Sequence, residues 1–109
     1  MSDQGMFQRN INSDGSAAQP VVTGDDIAST SSVVAADTSG GDIQVWLPGQ
    51  LSSAGLRITV VNVDGGGIVR VSVQAGDSMD GALNASGSVP AVAYASVTFV
   101  STGDSWVSL

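Results

Sequence analysis

Gly55-Leu56-Arg57-Ile58-Thr59-Val60-Val61-Asn62-Val63 runs into Asp64-Gly65-Gly66-Gly67, then into Ile68-Val69-Arg70-Val71-Ser72-Val73-Gln74, and closes on Ala75-Gly76-Asp77-Ser78-Met79-Asp80-Gly81. Two runs rich in β-branched residues flank a glycine-rich connection. Val, Ile and Thr suit a pleated surface, and glycine accepts the positive φ of a tight reversal. The stretch therefore predicts a β-hairpin turning at residues 64–67. Leu56, Ile58 and Val60 share one face of its first strand, with Arg57, Thr59 and Val61 on the other. In the second strand Val69, Val71 and Val73 oppose Ile68, Arg70, Ser72 and Gln74. A hairpin of this kind sets Arg57 and Arg70 near each other on one sheet face. Read from residues alone, the stretch implies an acidic all-β domain that oligomerises, and it carries no chemistry.

Composition supports strands over helices. Among 109 residues there are fourteen glycines, all ten acids are Asp, and there is no Glu, Lys, His or Cys. Losing Glu and Lys removes two of the best surface helix formers. The only bases are Arg9, Arg57 and Arg70, and the net charge is -7. Such a chain is ill suited to nucleic acid, whose phosphates need clustered Lys and Arg. Zinc ligands of the usual kind, a thiol nucleophile and an imidazole base are all missing from the sequence. No metal, no cofactor and no catalytic residue is expected. No apolar run nears the ~20 residues that span a bilayer, and the N-terminus lacks the basic-then-apolar pattern of a signal peptide, so no membrane association is expected. Asn84-Ala85-Ser86 matches the glycosylation sequon, a tripeptide common by chance.

In chain order, residues 1–24 read as an N-terminal arm: polar, without helical or strand period, and carrying Phe7, Arg9 and Ile11 as candidate contacts for a partner. A disordered tail is the plain alternative. Residues 25–109 read as one β module. Asp25 to Ser31 is the one place where a short helical turn is expected. Paired Asp25 and Asp26 suggest a cation, but no calcium-loop spacing surrounds them. Strands are expected over 32–36 and 42–47, the latter with Ile43, Val45 and Leu47 inward. An edge strand is expected at 82–85, a turn at 86–90, a long strand at 91–100, and a last strand at 105–109. Together these make a small sandwich- or barrel-like module of about six to seven short antiparallel strands. Several strands carry apolar residues on both faces, as in Val33 with Val34, Val60 with Val61, and Val97 with Phe99 and Val100. Aromatics are few, so burial against copies of the chain is expected, with Val61, Val97, Phe99 and Trp106 as subunit-interface candidates.

Residues 32–109 resemble a module of trimeric bacteriophage virion proteins: capsid decoration (cement) proteins, head fibres, and tail fibres or spikes. The resemblance is carried by the turn and strand from Asp37 to Leu47-Pro48, by Gly55 to Gly67, by Gly76-Asp77-Ser78-Met79-Asp80-Gly81, by Val97-Thr98-Phe99-Val100-Ser101, and by Gly103-Asp104-Ser105-Trp106. It implies a homotrimer with a structural or attachment role, and it transfers no active-site residue. A short arm before one module, read as a complete frame from Met1 to Leu109, favours a decoration protein on the capsid exterior that binds the major capsid protein. The alternative is a receptor- or carbohydrate-binding fibre module, in which Trp46 or Tyr94 stacks on sugar rings. An enzyme is not expected. Asp77 and Asp80 could be drawn as a glycosidase pair, but they sit in a Gly-flanked turn, where Asp commonly bonds the local backbone.

Overall fold

A computed structural model describes residues 21–27, 29 and 33–109. The described chain is all-β, with nine strands in two sheets: β1 (Val33–Ala36), β2 (Ile43–Trp46), β3 (Arg57–Asn62), β4 (Val69–Ser72), β5 (Ser78–Met79), β6 (Ala82–Leu83), β7 (Ser86–Val89), β8 (Ala95–Ser101) and β9 (Trp106–Ser108). One sheet has six strands in the order β1-β3-β8-β9-β5-β6, and the other has three in the order β2-β4-β7.

The predicted hairpin is not formed. β3 and β4 belong to different sheets, and the connection at residues 63–68 carries the chain from one sheet to the other. The β1–β2 connection does the same. β1 lies parallel to β3, and β2 lies parallel to β4. Both pairs are offset by 26 residues, with Val33 beside Thr59 and Ile43 beside Val69. The first half of the module is thus a short parallel coil, each rung crossing between sheets at a corner. Antiparallel strands complete it: β8 on β3, β7 on β4, and the β8–β9 hairpin. The expected all-antiparallel pairing is therefore corrected to a mixture.

Two glycines explain why the corner can cross. A Cβ on Gly66 would lie 2.5 Å from the Thr38 carbonyl oxygen, and one on Gly67 would run into the backbone of Gly41 and Asp42. The lower corner tucks beneath the upper with no room for side chains. Gly65 alone of the three has positive φ, at 77°. Close approach, more than reversal, is what this glycine run serves.

Alternation places the core as expected. Ile43, Val45, Leu47, Ile58, Val60, Val69, Val71 and Val73 all point inward and are buried. Val21, assigned to the arm by its polar neighbours, is fully buried, and Ile27 is nearly so. Val21 bridges Ala36 and Asp26 bridges Trp46, both in parallel. Residues 25–27 are extended, with the Ile27 N–H donating to the Trp46 carbonyl at 2.8 Å. The expected helical turn is corrected over these residues; Ser29 lies in a turn, and Ala28, Thr30 and Ser31 lie outside the described residues. The turn expected at 86–90 is instead largely β7. A Cβ on Gly87 would lie 2.9 Å from the Phe99 ring, so the glycine leaves that ring its seat. The strand expected from Ala91 begins only at Ala95.

Candidate interaction surfaces

Asn62 ends β3 at an inward position and is fully buried. Its Oδ1 accepts from the Thr38 hydroxyl at 2.7 Å and from the Gly65 N–H at 2.9 Å. Its Nδ2 donates to the carbonyls of Gly67 at 2.7 Å and Pro90 at 2.9 Å. All four hydrogen-bonding positions of the amide are used, as a buried polar group requires. The four bonds join three separate loops at one end of the molecule: 37–42, 63–68 and 90–94.

The third of these loops is the most unusual surface. Pro90, Ala91, Val92, Ala93 and Tyr94 are consecutive, apolar and all exposed. Val92 is 60% exposed and Tyr94 75%. Runs of exposed apolar residues are disfavoured in a solvated surface unless they do something. The loop is also held firmly. The Tyr94 N–H donates to the Asn62 carbonyl at 2.6 Å, Ala95 to Val92 at 3.0 Å, and Val92 to Pro90 at 2.8 Å. Tyr94 adopts a left-handed φ of 65°, uncommon for an aromatic residue. A strained backbone carrying an exposed aromatic is a mark of a site under functional constraint.

The outer faces of the two sheets differ in chemistry. On the six-stranded sheet, register aligns Val33 with Thr59 and Thr98, Ala35 with Val61 and Ser96, and Arg57 with Val100 and Val107. The Thr59 and Thr98 hydroxyls share a hydrogen bond of 2.8 Å. On the three-stranded sheet the outward rows are Gln44, Arg70 and Ser88, then Trp46, Ser72 and Ser86. Arg57 and Arg70 therefore lie on opposite outer faces, correcting the shared face that a hairpin would have given them. Every described Asp lies outside the strands.

The interface candidates separate accordingly. Val61 is on the outer face of the large sheet. Val97 points inward and packs against the core. Phe99 and Trp106 are fully buried within the single chain, so they have no surface to give a partner; this corrects their assignment to an interface. Their apolar bulk fills the protomer's own core, and the Trp106 Nε1 is satisfied by the Pro48 carbonyl at 3.1 Å. Phe7, Arg9 and Ile11 lie outside the described residues. Trp46 is half-buried.

The carboxylates serve turns. Asp77 accepts from the Gln50 N–H at 2.9 Å, and Asp80 accepts from both the Ser108 N–H and its hydroxyl. Asn84 accepts from the Gly76 N–H at 2.9 Å. Asp25 accepts from the Val22 N–H at 2.9 Å. Among the described residues no group of three or more acidic side chains is placed to hold a metal. A shallow cleft of about 230 Å³ is lined by Val22, Asp37 and Asp42 among others. Both carboxylates are already engaged there: Asp42 accepts from the Ile68 N–H, and Asp37 from the hydroxyl and N–H of Ser39. The Ser39 hydroxyl, then its N–H, holds the Asp37 carboxyl below the usual carboxylate range.

Sequence reasoning missed Asn62 and the 90–94 loop. Parity offered a signal for the first, because Asn62 continues the inward series of Leu56, Ile58 and Val60. No family model matches the chain, and no curated protein or solved structure is significantly similar to it, so the likeness to phage virion modules rests on the motifs alone.

Proposed function

We propose that this protein is a structural virion component that decorates and stabilises a bacteriophage capsid as a homotrimer, seated on the capsid exterior against the major capsid protein. The observation that carries this reading is the Pro90–Tyr94 loop: five exposed apolar residues on a backbone fixed by Asn62. A rigid apolar knob is made to fill a pocket on another protein, because its ordering cost is met during folding and not on binding. Val92 and Tyr94 together offer about 2–4 kcal/mol of burial per copy. Three copies on one trimer engage repeated capsid sites at high effective concentration, so modest contacts give stable attachment. The N-terminal arm, through Phe7, Arg9 and Ile11, adds contacts of the same kind.

Purified protein is mixed with capsids prepared without it, from the phage that encodes the chain, and pelleted. Wild type is expected to co-sediment, and Val92→Ser/Tyr94→Ser to lose most of the bound fraction while keeping its circular dichroism. A wild type that stays in the supernatant ends the decoration reading. A second reading has its own observation: Tyr94, aromatic and largely exposed, is a ready stacking platform for a sugar ring. A glycan-array signal abolished by Tyr94→Ala would move the protein to the receptor- or carbohydrate-binding class of fibre modules.

A further inference from the structure

The outer face of the six-stranded sheet is unlike the solvated face of an ordinary sheet, which alternates an apolar inner side with a charged or polar outer one. Its central rows are Val33-Thr59-Thr98, Ala35-Val61-Ser96 and Arg57-Val100-Val107. Small and β-branched side chains cover it, and Arg57 is its one charge. A chain of net charge -7 has placed none of its described aspartates on the strands of this face.

We propose that this face, centred on Thr59, Val61 and Thr98, is the surface through which copies of the chain associate. This deepens the homotrimer of the proposed function by naming its contact surface. Charge selects the occupant. A basic partner would seek aspartates, and the strands of this face carry none. A copy of the chain approaching from a loop-bearing side brings aspartates against aspartates; the outer faces of the two sheets escape that repulsion. Of these, the six-stranded one has more strands and more apolar residues, the three-stranded one presenting Gln44, Arg70, Ser86 and Ser88. The two ends of β3 are also unlike: Arg57 opens the strand, and exposed Asp64 follows it two residues beyond Asn62. Unlike ends favour a head-to-tail contact, which closes as a ring when the rotation allows. The molecule measures 31 × 29 × 20 Å, so its broadest outline is roughly 900 Å², comparable with the ~800 Å² per partner in a typical stable interface.

Light scattering after size exclusion tests this on the full chain at micromolar concentration. Wild type is expected at three times the 10.8 kDa chain mass. Val61→Asp sets like charges against each other at the contact and is expected to weaken assembly about 100-fold or more. Val61→Gln, which adds bulk and polarity without charge, is expected to weaken it in the same direction if Val61→Asp folds poorly. Ser88→Asp puts a carboxylate on a strand of the opposite sheet and is expected to assemble like wild type. A monomeric wild type overturns the proposal. So do Val61→Asp and Val61→Gln proteins that assemble normally, and so does a Ser88→Asp protein that dissociates as readily as they do. An assembled wild type that fails to pellet with capsids defeats the decoration reading and leaves the face standing.

Discussion

Replacing Asn62 by Ala removes four hydrogen bonds at once, although the Thr38 hydroxyl still accepts from the Gly66 N–H at 3.1 Å and the Pro90 carbonyl from the Val92 N–H at 2.8 Å. The Thr38 hydroxyl and the Gly65 N–H lose an acceptor, and the Gly67 and Pro90 carbonyls lose a donor. A hydrogen bond is worth about 0.5–1.5 kcal/mol net, and an orphaned buried partner costs more than that. Asn62→Ala is expected to cost about 4 kcal/mol. A domain of this size is stable by about 5–15 kcal/mol, so the variant loses a large share of its margin. Its melting temperature should fall by about 15–30 °C. Urea unfolding followed by circular dichroism measures the change. Thr38→Val supplies the internal check: alone it should cost about 1–2 kcal/mol, and added to Asn62→Ala it should cost less, because the bond to Asn62 is already gone and only the bond from the Gly66 N–H is left to lose. An Asn62→Ala protein destabilised by under about 1 kcal/mol, or strict additivity with Thr38→Val, would refute the view of Asn62 as the junction of three loops.

Gly67→Ala forces a methyl into the backbone of Gly41 and Asp42 and should sharply reduce soluble yield and melting temperature, whereas Gly40→Ala, which meets open space, should be near neutral in the same assay. Val21→Ala should cost about 2 kcal/mol in urea unfolding, since two methyl groups leave a fully buried site; a cost near zero would return Val21 to the arm. Ser39→Ala should raise the Asp37 pKa toward the ordinary carboxylate value in an NMR titration. Because folding depresses that pKa, the linked stabilisation is present above the unfolded value of about 3.9 and is lost as pH falls through the lower folded one. Stability of Ser39→Ala should therefore depend less on pH across that acidic window, and an unchanged Asp37 titration would contradict the assigned cause.

Strand positions and inward faces were legible where alternation was clean, as at Ile43, Val45 and Leu47 and at Ile58 and Val60. Partner choice was not. An Asp-Gly-Gly-Gly run reads alike whether the chain reverses within a sheet or crosses to another, and the outcome depends on Thr38 and Asp42, more than twenty residues upstream. Ser86-Gly87-Ser88 has poor strand propensity and becomes β7 through its pairing with β4 and the Phe99 ring seated on Gly87. Ala91 to Tyr94 has good strand propensity and forms none, held out by Pro90, by the bonds to Asn62 and by the left-handed Tyr94. As for the interface residues, periodicity showed apolar side chains on both faces of β8. Which face meets the protomer's own core is decided by the second sheet, which no local pattern reveals. Phe99 therefore went to the wrong surface, while Val61 on β3 faces outward.

Two rungs laid side by side in parallel cannot assemble from neighbouring stretches of chain. Thr59 has to find Val33 and Val69 has to find Ile43 before either rung has a neighbour, and Ile58 then meets Phe99 from still farther along the sequence. Only the β5–β6 and β8–β9 pairs join strands that follow one another directly. Chains dominated by distant pairings pay their loop-closure entropy before contacts compensate it, and they fold in milliseconds to seconds, well behind helical bundles. During that interval the edges of β1 and β3 are open to any chain able to pair with them. An absence of Lys and Glu leaves Arg57 as the one charged side chain on those two strands, where charges commonly protect a nascent sheet, so assembly competes with misassembly most keenly before β8 has docked on β3.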